Sequence, residues 1–168
     1  MSMSMYQASV PMLVQSLKNL DHILDKAVAY CEAKSLDPAV LLNCRLFPDM
    51  FPLVRQVQIA TDIAKGCVAR LSGMEPPSWE DTETSFEELK ARLEKAIAYL
   101  KEFTPEQIDG TEEKEVTLQL RSGPLQFSGQ DYLRFFVLPN VSFHVTTAYN
   151  ILRHNGVELG KKDYLGGR

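Results

Sequence analysis

Cysteine is scarce and badly spaced for chemistry, with Cys31, Cys44 and Cys67 alone in 168 residues. An odd number at wide intervals makes neither a disulfide framework nor the paired spacing of a zinc cluster. Such thiols read as small core hydrophobes in a reducing cytoplasm. No run of about 20 apolar residues occurs, so no membrane span is expected. The opening MSMSMYQASV lacks a basic stretch followed by a dense apolar core, and gives no sign of a secretory signal. Lys and Arg number 18 against 22 Asp and Glu, and they form no block. Nucleic acid is therefore not an expected partner. A glycine-rich phosphate loop, a nucleophile elbow and carboxylates paired on an inner helix face are also missing. What remains suits one cytoplasmic domain spanning residues 1–168.

Helical periodicity dominates. Val10, Leu13, Leu17, Leu20, Leu24, Ala27 and Cys31 recur at threes and fours, and Pro11 places the cap of this first helix near residues 7–9. His22 stands opposite the stripe and should face solvent. Asp37-Pro38 opens a helical turn over 38–43. The apolar link from Asn43 to Phe51 should pack on the bundle. Asp49 can cap the second long helix, whose inner stripe is Leu53, Val57, Ala60, Ala64, Cys67 and Leu71. Ser72-Gly73 ends it. Thr84 or Ser85 caps the third, with Phe86, Leu89, Leu93, Ala96 and Leu100 inward. Glu88, Lys90, Arg92, Glu94 and Lys95 read as its solvated face.

After Thr104-Pro105 the period changes to two. Val116, Leu118 and Leu120 alternate with Thr117, Gln119 and Arg121, then Ser122-Gly123-Pro124 turns the chain into Leu125 and Phe127. This hairpin must lie against helices, since two strands alone are marginal. Ser128 with Asp131 opens the fourth long helix, Pro139 should kink it, and Asn155-Gly156 ends it. The fold class is all-α: a four-helix bundle with a small β-hairpin before the last helix. In the tail, Tyr164 and Leu165 should dock back near the last helix.

The last helix carries the functional clue. Leu133, Val137, Asn140, His144, Ala148 and Ile151 form one stripe, and two of them are polar. Burying an unpaired polar group costs about 2 kcal/mol, so Asn140 and His144 need partners or a purpose. Gln58 and Asp62, four apart on a neighbouring face of the second long helix, either meet solvent or rim a pocket, and Gln58 or a tyrosine hydroxyl is the group to bond His144 across the bundle.

His144 followed by Ala148, Ile151, Leu152, Arg153 and Gly156 resembles the last helix of the DinB-like (YfiT-like) metalloprotein superfamily. PDMFPLVRQVQIATDIAKG, FHVTTAYNILRHNGVELGKKDYLG and MYQASVPMLVQSLKNL extend the likeness over nearly the whole chain, and more closely to a bacterial domain-of-unknown-function subfamily. The resemblance implies a divalent-metal site of three histidines, one on the second helix and two in a His-x-x-x-His pair on the last. His144 falls on the final histidine of that pair. Asn140 stands where the other would be, and Gln58 or Asp62 is near the second-helix ligand. His144 and Asp62 are then the remaining donors for zinc, nickel or iron, one fewer than a tight site needs. Three functions follow: a small-molecule binder with a central pocket lined by His144, Asn140, Gln58 and Asp62; a non-enzymatic homodimer with a degenerate metal site; and a metal-dependent, thiol transferase-like enzyme. A buried polar network around His144 is the alternative to any ligand there.

Overall fold

The computed structural model describes residues 3–120 and 122–167. Helix α1 (Met5–Lys34) starts on a reciprocal capping box between Ser4 and Gln7. The sequence places this cap at residues 7–9, but the helix begins earlier and carries Pro11 in its interior. The early start is supported at its first turn: Asp109 Oδ1 accepts from the Tyr6 N–H at 2.7 Å, satisfying a donor that a helix end otherwise leaves orphaned. Helix α2 (Pro38–Asn43) is capped by Asp37, as its Asp-Pro pair predicts.

Helix α3 (Leu53–Ser72) follows Pro52 directly with no side-chain cap, so Asp49 does not take that role. It ends on Gly73 at φ 86°, a left-handed position that glycine adopts at little cost. Helix α4 (Phe86–Lys101) opens on the expected Ser85–Glu88 box, and α5 (Pro105–Ile108) adds one turn. Strands β1 (Glu115–Leu120) and β2 (Gly123–Ser128) pair antiparallel, Val116 opposite Phe127 and Leu118 opposite Leu125. Pro124 lies within β2 rather than in the turn. Arg121, part of the alternating pattern, lies outside the described residues. Val116 and Leu118 are buried against the helices, which gives the hairpin the support it needs.

The last long helix is three segments in succession: α6 (Gly129–Asp131), a π-helical stretch (Tyr132–Val137) and α7 (Leu138–His154). Ser128 caps it through the Asp131 N–H, and Asn155 and Gly156 close it. The irregularity expected at Pro139 sits just before it, as the π turn. Helices α1, α4, α3 and α7 form the bundle; α4 and α7 each pack on both α1 and α3. Leu17, Leu20, Leu24, Ala60, Ala64, Leu89, Leu93, Ala148 and Ile151 fill its centre. Cys31 and Cys67 are in this core, and burial pushes the Cys67 thiol up to about 12, so it is an inert hydrophobe. Among the described residues, no helix is long and apolar enough to cross a membrane.

The tail does return to the bundle, as α8 (Lys161–Leu165) against α1. Asn19 Nδ2 donates to the Tyr164 carbonyl at 2.8 Å, and Tyr164 meets Tyr149 edge-on. Asp163 accepts from the Gly160 N–H, His22 and Lys26, and these contacts hold its carboxyl at about 2 despite partial burial. His22 is thus exposed yet engaged. Leu165, expected to anchor the tail, is exposed.

Candidate functional site

Helix α3 separates the polar residues that the sequence groups together. His144 is buried, 8% exposed, and its Nδ1 lies 2.7 Å from Oε1 of Gln56. Gln56 is more deeply buried still, and its Nε2 donates to the Phe51 carbonyl at 2.9 Å. Gln58 and Asp62 belong elsewhere. Residues two apart on an α-helix are turned by about 200°, so Gln56 and Gln58 leave α3 on opposite sides.

On the second side, Gln58 accepts from Arg55 and donates to Glu83. Asp62 pairs with Lys65 at 2.8 Å and Arg92 at 2.9 Å. Arg92 is the centre of this cluster. It is 4% exposed and binds Asp62, Asp81, Glu83, the Thr61 hydroxyl and the Glu80 carbonyl. Arg55 forms a further short ion pair with Asp81. Lys65 and Lys95 lie over the Trp79 ring at 4.3 and 4.5 Å. Burial pushes the Glu83 carboxyl up, but hydrogen bonds from Arg92 and Gln58 outweigh it and hold the group below its ordinary value. The effect is to strap the segment between α3 and α4 across both helices. The expectation of a solvated α4 face fails at two places. Arg92 borders the Leu89–Leu93–Ala96 stripe and turns inward, and Lys90 pairs with Asp21 and Asp25 of α1.

Asn140 does not meet His144. It is half-buried, and its Nδ2 donates to the Phe136 carbonyl of its own helix at 2.6 Å. Val141, 2% exposed, fills the core between Val137 and His144 in place of Asn140; the two positions flank the stripe about equally, and the apolar one turns inward. The partner that sequence reasoning passes over is Gln56. Its signal is legible: three residues after Leu53 and four before Ala60, it interrupts an apolar stripe as His144 does.

These placements test the metal expectation on its donor set. His144 has one amide neighbour, a weak ligand, and Asp62 on the other side of α3 is neutralised by two cations. Among the described residues, no three His, Cys, Asp or Glu side chains gather closely enough to hold a metal ion. The residues do not fit the three-histidine site that the fold implies.

Phenyl rings are exposed on α7 and on the segment leading into α3. Phe143 meets the His144 imidazole edge-on at 5.2 Å, and the Arg55 guanidinium lies over the Phe51 ring. Phe47, Phe51, Phe135 and Phe143 are 63%, 55%, 64% and 56% exposed. The 43–51 link therefore does not bury its rings. Its ends are closed by the bond from the Leu53 N–H to the Cys44 carbonyl, and this tight loop turns Phe47 outward.

The pattern of the family described as "Domain of unknown function (DUF1993)" matches residues 5–165. The chain belongs to the DUF1993 family. No curated protein matches it. A solved structure described as a DinB family member protein from Shewanella denitrificans is similar to this DUF1993 chain, with a TM-score of 0.89 and 43% identity over 97% of this chain and 92% of that one. The DinB-like fold and the subfamily read from the sequence are both established by these matches.

Burial first, and then the charge of Arg55, lower the His144 pKa below its ordinary value of 6.5. The unfolded chain takes up that proton near 6.5, and the folded one resists it until the pH is lower. Stability contributed by the neutral histidine is therefore complete above about pH 6.5 and declines as the pH falls towards the folded pKa. Between pH 7.5 and 5.5 the urea midpoint should fall more steeply for the wild type than for His144→Gln. Equal slopes would show that His144 is not protected from protonation.

Proposed function

We propose that this DUF1993 protein is a non-enzymatic binding protein that pairs with a second copy of itself through the aromatic face around His144. The observation that supports it is the exposure of Phe143, edge-on to His144, and of Phe47 and Phe51 on the segment whose Phe51 carbonyl bonds Gln56, with the His144–Gln56 pair itself already hydrogen-bonded. Phe135, about two turns before Phe143, extends the same helix's aromatic surface. An aromatic side chain contributes roughly 150–250 Å². Four rings exposed by more than half supply on the order of 400 Å², against roughly 800 Å² per partner in a standard interface. Half of an interface is thus already present as phenyl surface, and the flanking loop and helix can provide the remainder.

A second copy suits such a face, because an isologous contact brings the same patch to both sides and phenyl surface is self-complementary. The wild type should sediment as a dimer at micromolar concentration. Phe51→Ser with Phe143→Ser should weaken association at least tenfold, since buried aromatic anchors contribute about 2 kcal/mol or more apiece. Circular dichroism of the variant checks that its fold is retained. A monomeric wild type at that concentration would remove the proposal.

A further inference from the structure

One stripe of α1 holds the tail helix in place. Gln15, Asn19, His22 and Lys26 follow one another at fours and threes on a single face. Asn19 bonds the Tyr164 carbonyl, and His22 and Lys26 bond Asp163. Gly166, at φ 75°, lies so close that an added methyl group would meet Asn19 Oδ1 at 2.5 Å and Gln15 Nε2 at 2.9 Å. No residue of α8 is itself buried, so the tail contributes a wall rather than a core. Tyr164 and Leu165 of that wall, Met12, Gln15 and Asn19 of α1 and Val145 of α7 line a cleft of about 460 Å³. Small-molecule sites span roughly 300–1,000 Å³. Charged residues make up 24% of the chain, yet none of the nine described residues lining this cleft is charged. An ion of either sign therefore finds no countercharge in the lining.

The polar groups of the cleft have a fixed direction. The Tyr164 carbonyl can only accept, so Asn19, 8% exposed, turns its NH₂ to it at 2.8 Å. Asn19 Oδ1 then faces Gln15, which must present its own NH₂ at 2.7 Å. Each NH₂ keeps a second hydrogen, and Gln15 Oε1 is left without a partner among the described residues. Gln15 is half-buried, and its oxygen is not among the enclosed, unbonded atoms, so it is open to a ligand.

From this geometry we infer that the cleft between α1, α7 and α8 binds a small uncharged molecule carrying a secondary amide, such as a lactam. The ligand N–H donates to Gln15 Oε1, and its carbonyl accepts a spare amide hydrogen of Gln15 or Asn19. The apolar part of the ligand packs on Met12, Val145 and Leu165.

The inference goes beyond self-association and uses none of the phenyl rings assigned to the second copy. In ¹⁵N–¹H spectra of the full chain at pH 7.5, titration with 2-piperidone should shift the side-chain NH₂ signals of Gln15 and Asn19. Those of Gln15 are assigned by their loss in Gln15→Met. 2-Piperidone should bind about fivefold more tightly than cyclohexanone, which accepts but cannot donate, the equivalent of one net hydrogen bond. Piperidinium, the cation of the same ring, should bind more weakly than either. Gln15→Met should bring 2-piperidone down to the affinity of cyclohexanone. Gly166→Ala, which pushes the wall off its seat, should weaken binding of both, with circular dichroism checking that the bundle is retained. Equal affinity of the wild type for 2-piperidone and cyclohexanone, or shifts confined to residues outside the cleft, would overturn the inference without any appeal to a variant. A monomeric wild type that prefers 2-piperidone would remove the dimer and keep the site. A dimer without that preference would do the reverse.

Discussion

Replacing Arg92 with Met should cost about 3 kcal/mol of folding stability, the scale on which removing one partner of a buried ion pair exceeds the value of the pair itself. The substitution leaves Asp62, Asp81 and Glu83 without their shared cation and takes a donor from the Thr61 hydroxyl. Methionine fills much of the same space, so the loss reports charge and hydrogen bonds rather than a cavity. Arg92→Lys should fall between the two, because an ammonium keeps the charge but not the planar fork that reaches several acceptors at once. Urea denaturation measures the loss. Trp79, the single tryptophan, lies over the same cluster and reports the strap locally. Its fluorescence should change before the helical signal in Arg92→Met and together with it in the wild type. A loss below about 1 kcal/mol would place the cluster with ordinary surface pairs.

Gly129→Ala should be nearly as damaging for a steric reason. A methyl group at this position would run into the Thr111 carbonyl oxygen, with the Thr111 carbonyl carbon at 3.1 Å and Leu71 Cδ2 at 3.3 Å. The backbone of the loop after α5 would have to retreat. Retreat would disturb the bond from the Gln130 N–H to the Glu112 carbonyl and that from Lys114 to the Leu71 carbonyl. Overpacking of this kind costs about 2 kcal/mol, which for a chain of this size lowers Tm by about 4–8 °C. Gly160→Ala, whose added methyl group would meet only Asp163 Oδ2 at 3.9 Å, is the control and should be neutral. A Gly129→Ala protein that melts with the wild type would mean that the loop yields freely.

The bundle was legible because its stripes are strictly periodic, and the Ser85–Glu88 box, Gly73 and the alternation of Val116 and Leu118 marked its ends and its hairpin. The site was legible only at His144. Gln56 carried the same signal, a polar residue in an apolar stripe, but likeness to a metal site drew attention to Asp62, a carboxylate on the wrong side of the helix. Arg92 was hidden for another reason. Its partners Asp62, Asp81 and Glu83 come from another helix and a loop, and only the folded chain brings them within 3.0 Å. A charged residue bordering an apolar stripe looks the same in sequence whether it turns outward or inward. Asn140 and Val141 flank the His144 stripe about equally, so a 3.6-residue period alone does not choose between them.

That π turn bears on chain length. Each i→i+5 closure accommodates one residue more than an α turn of the same height, so the stretch from Tyr132 to Val137 holds slack that a straight helix lacks. Deleting one residue there would let the turn close as an ordinary α turn with the segments on either side still in phase, whereas adding one would rotate everything upstream by about 100° relative to α7. The fully buried Tyr132, bonded to Arg70 and ringed by Phe127 and Phe136, would leave its place. The six residues thus act as a spacer that keeps the hairpin side of the helix in phase with the His144 side. The fold constrains the phase across this segment more than its composition, and the π turn takes up the extra residue.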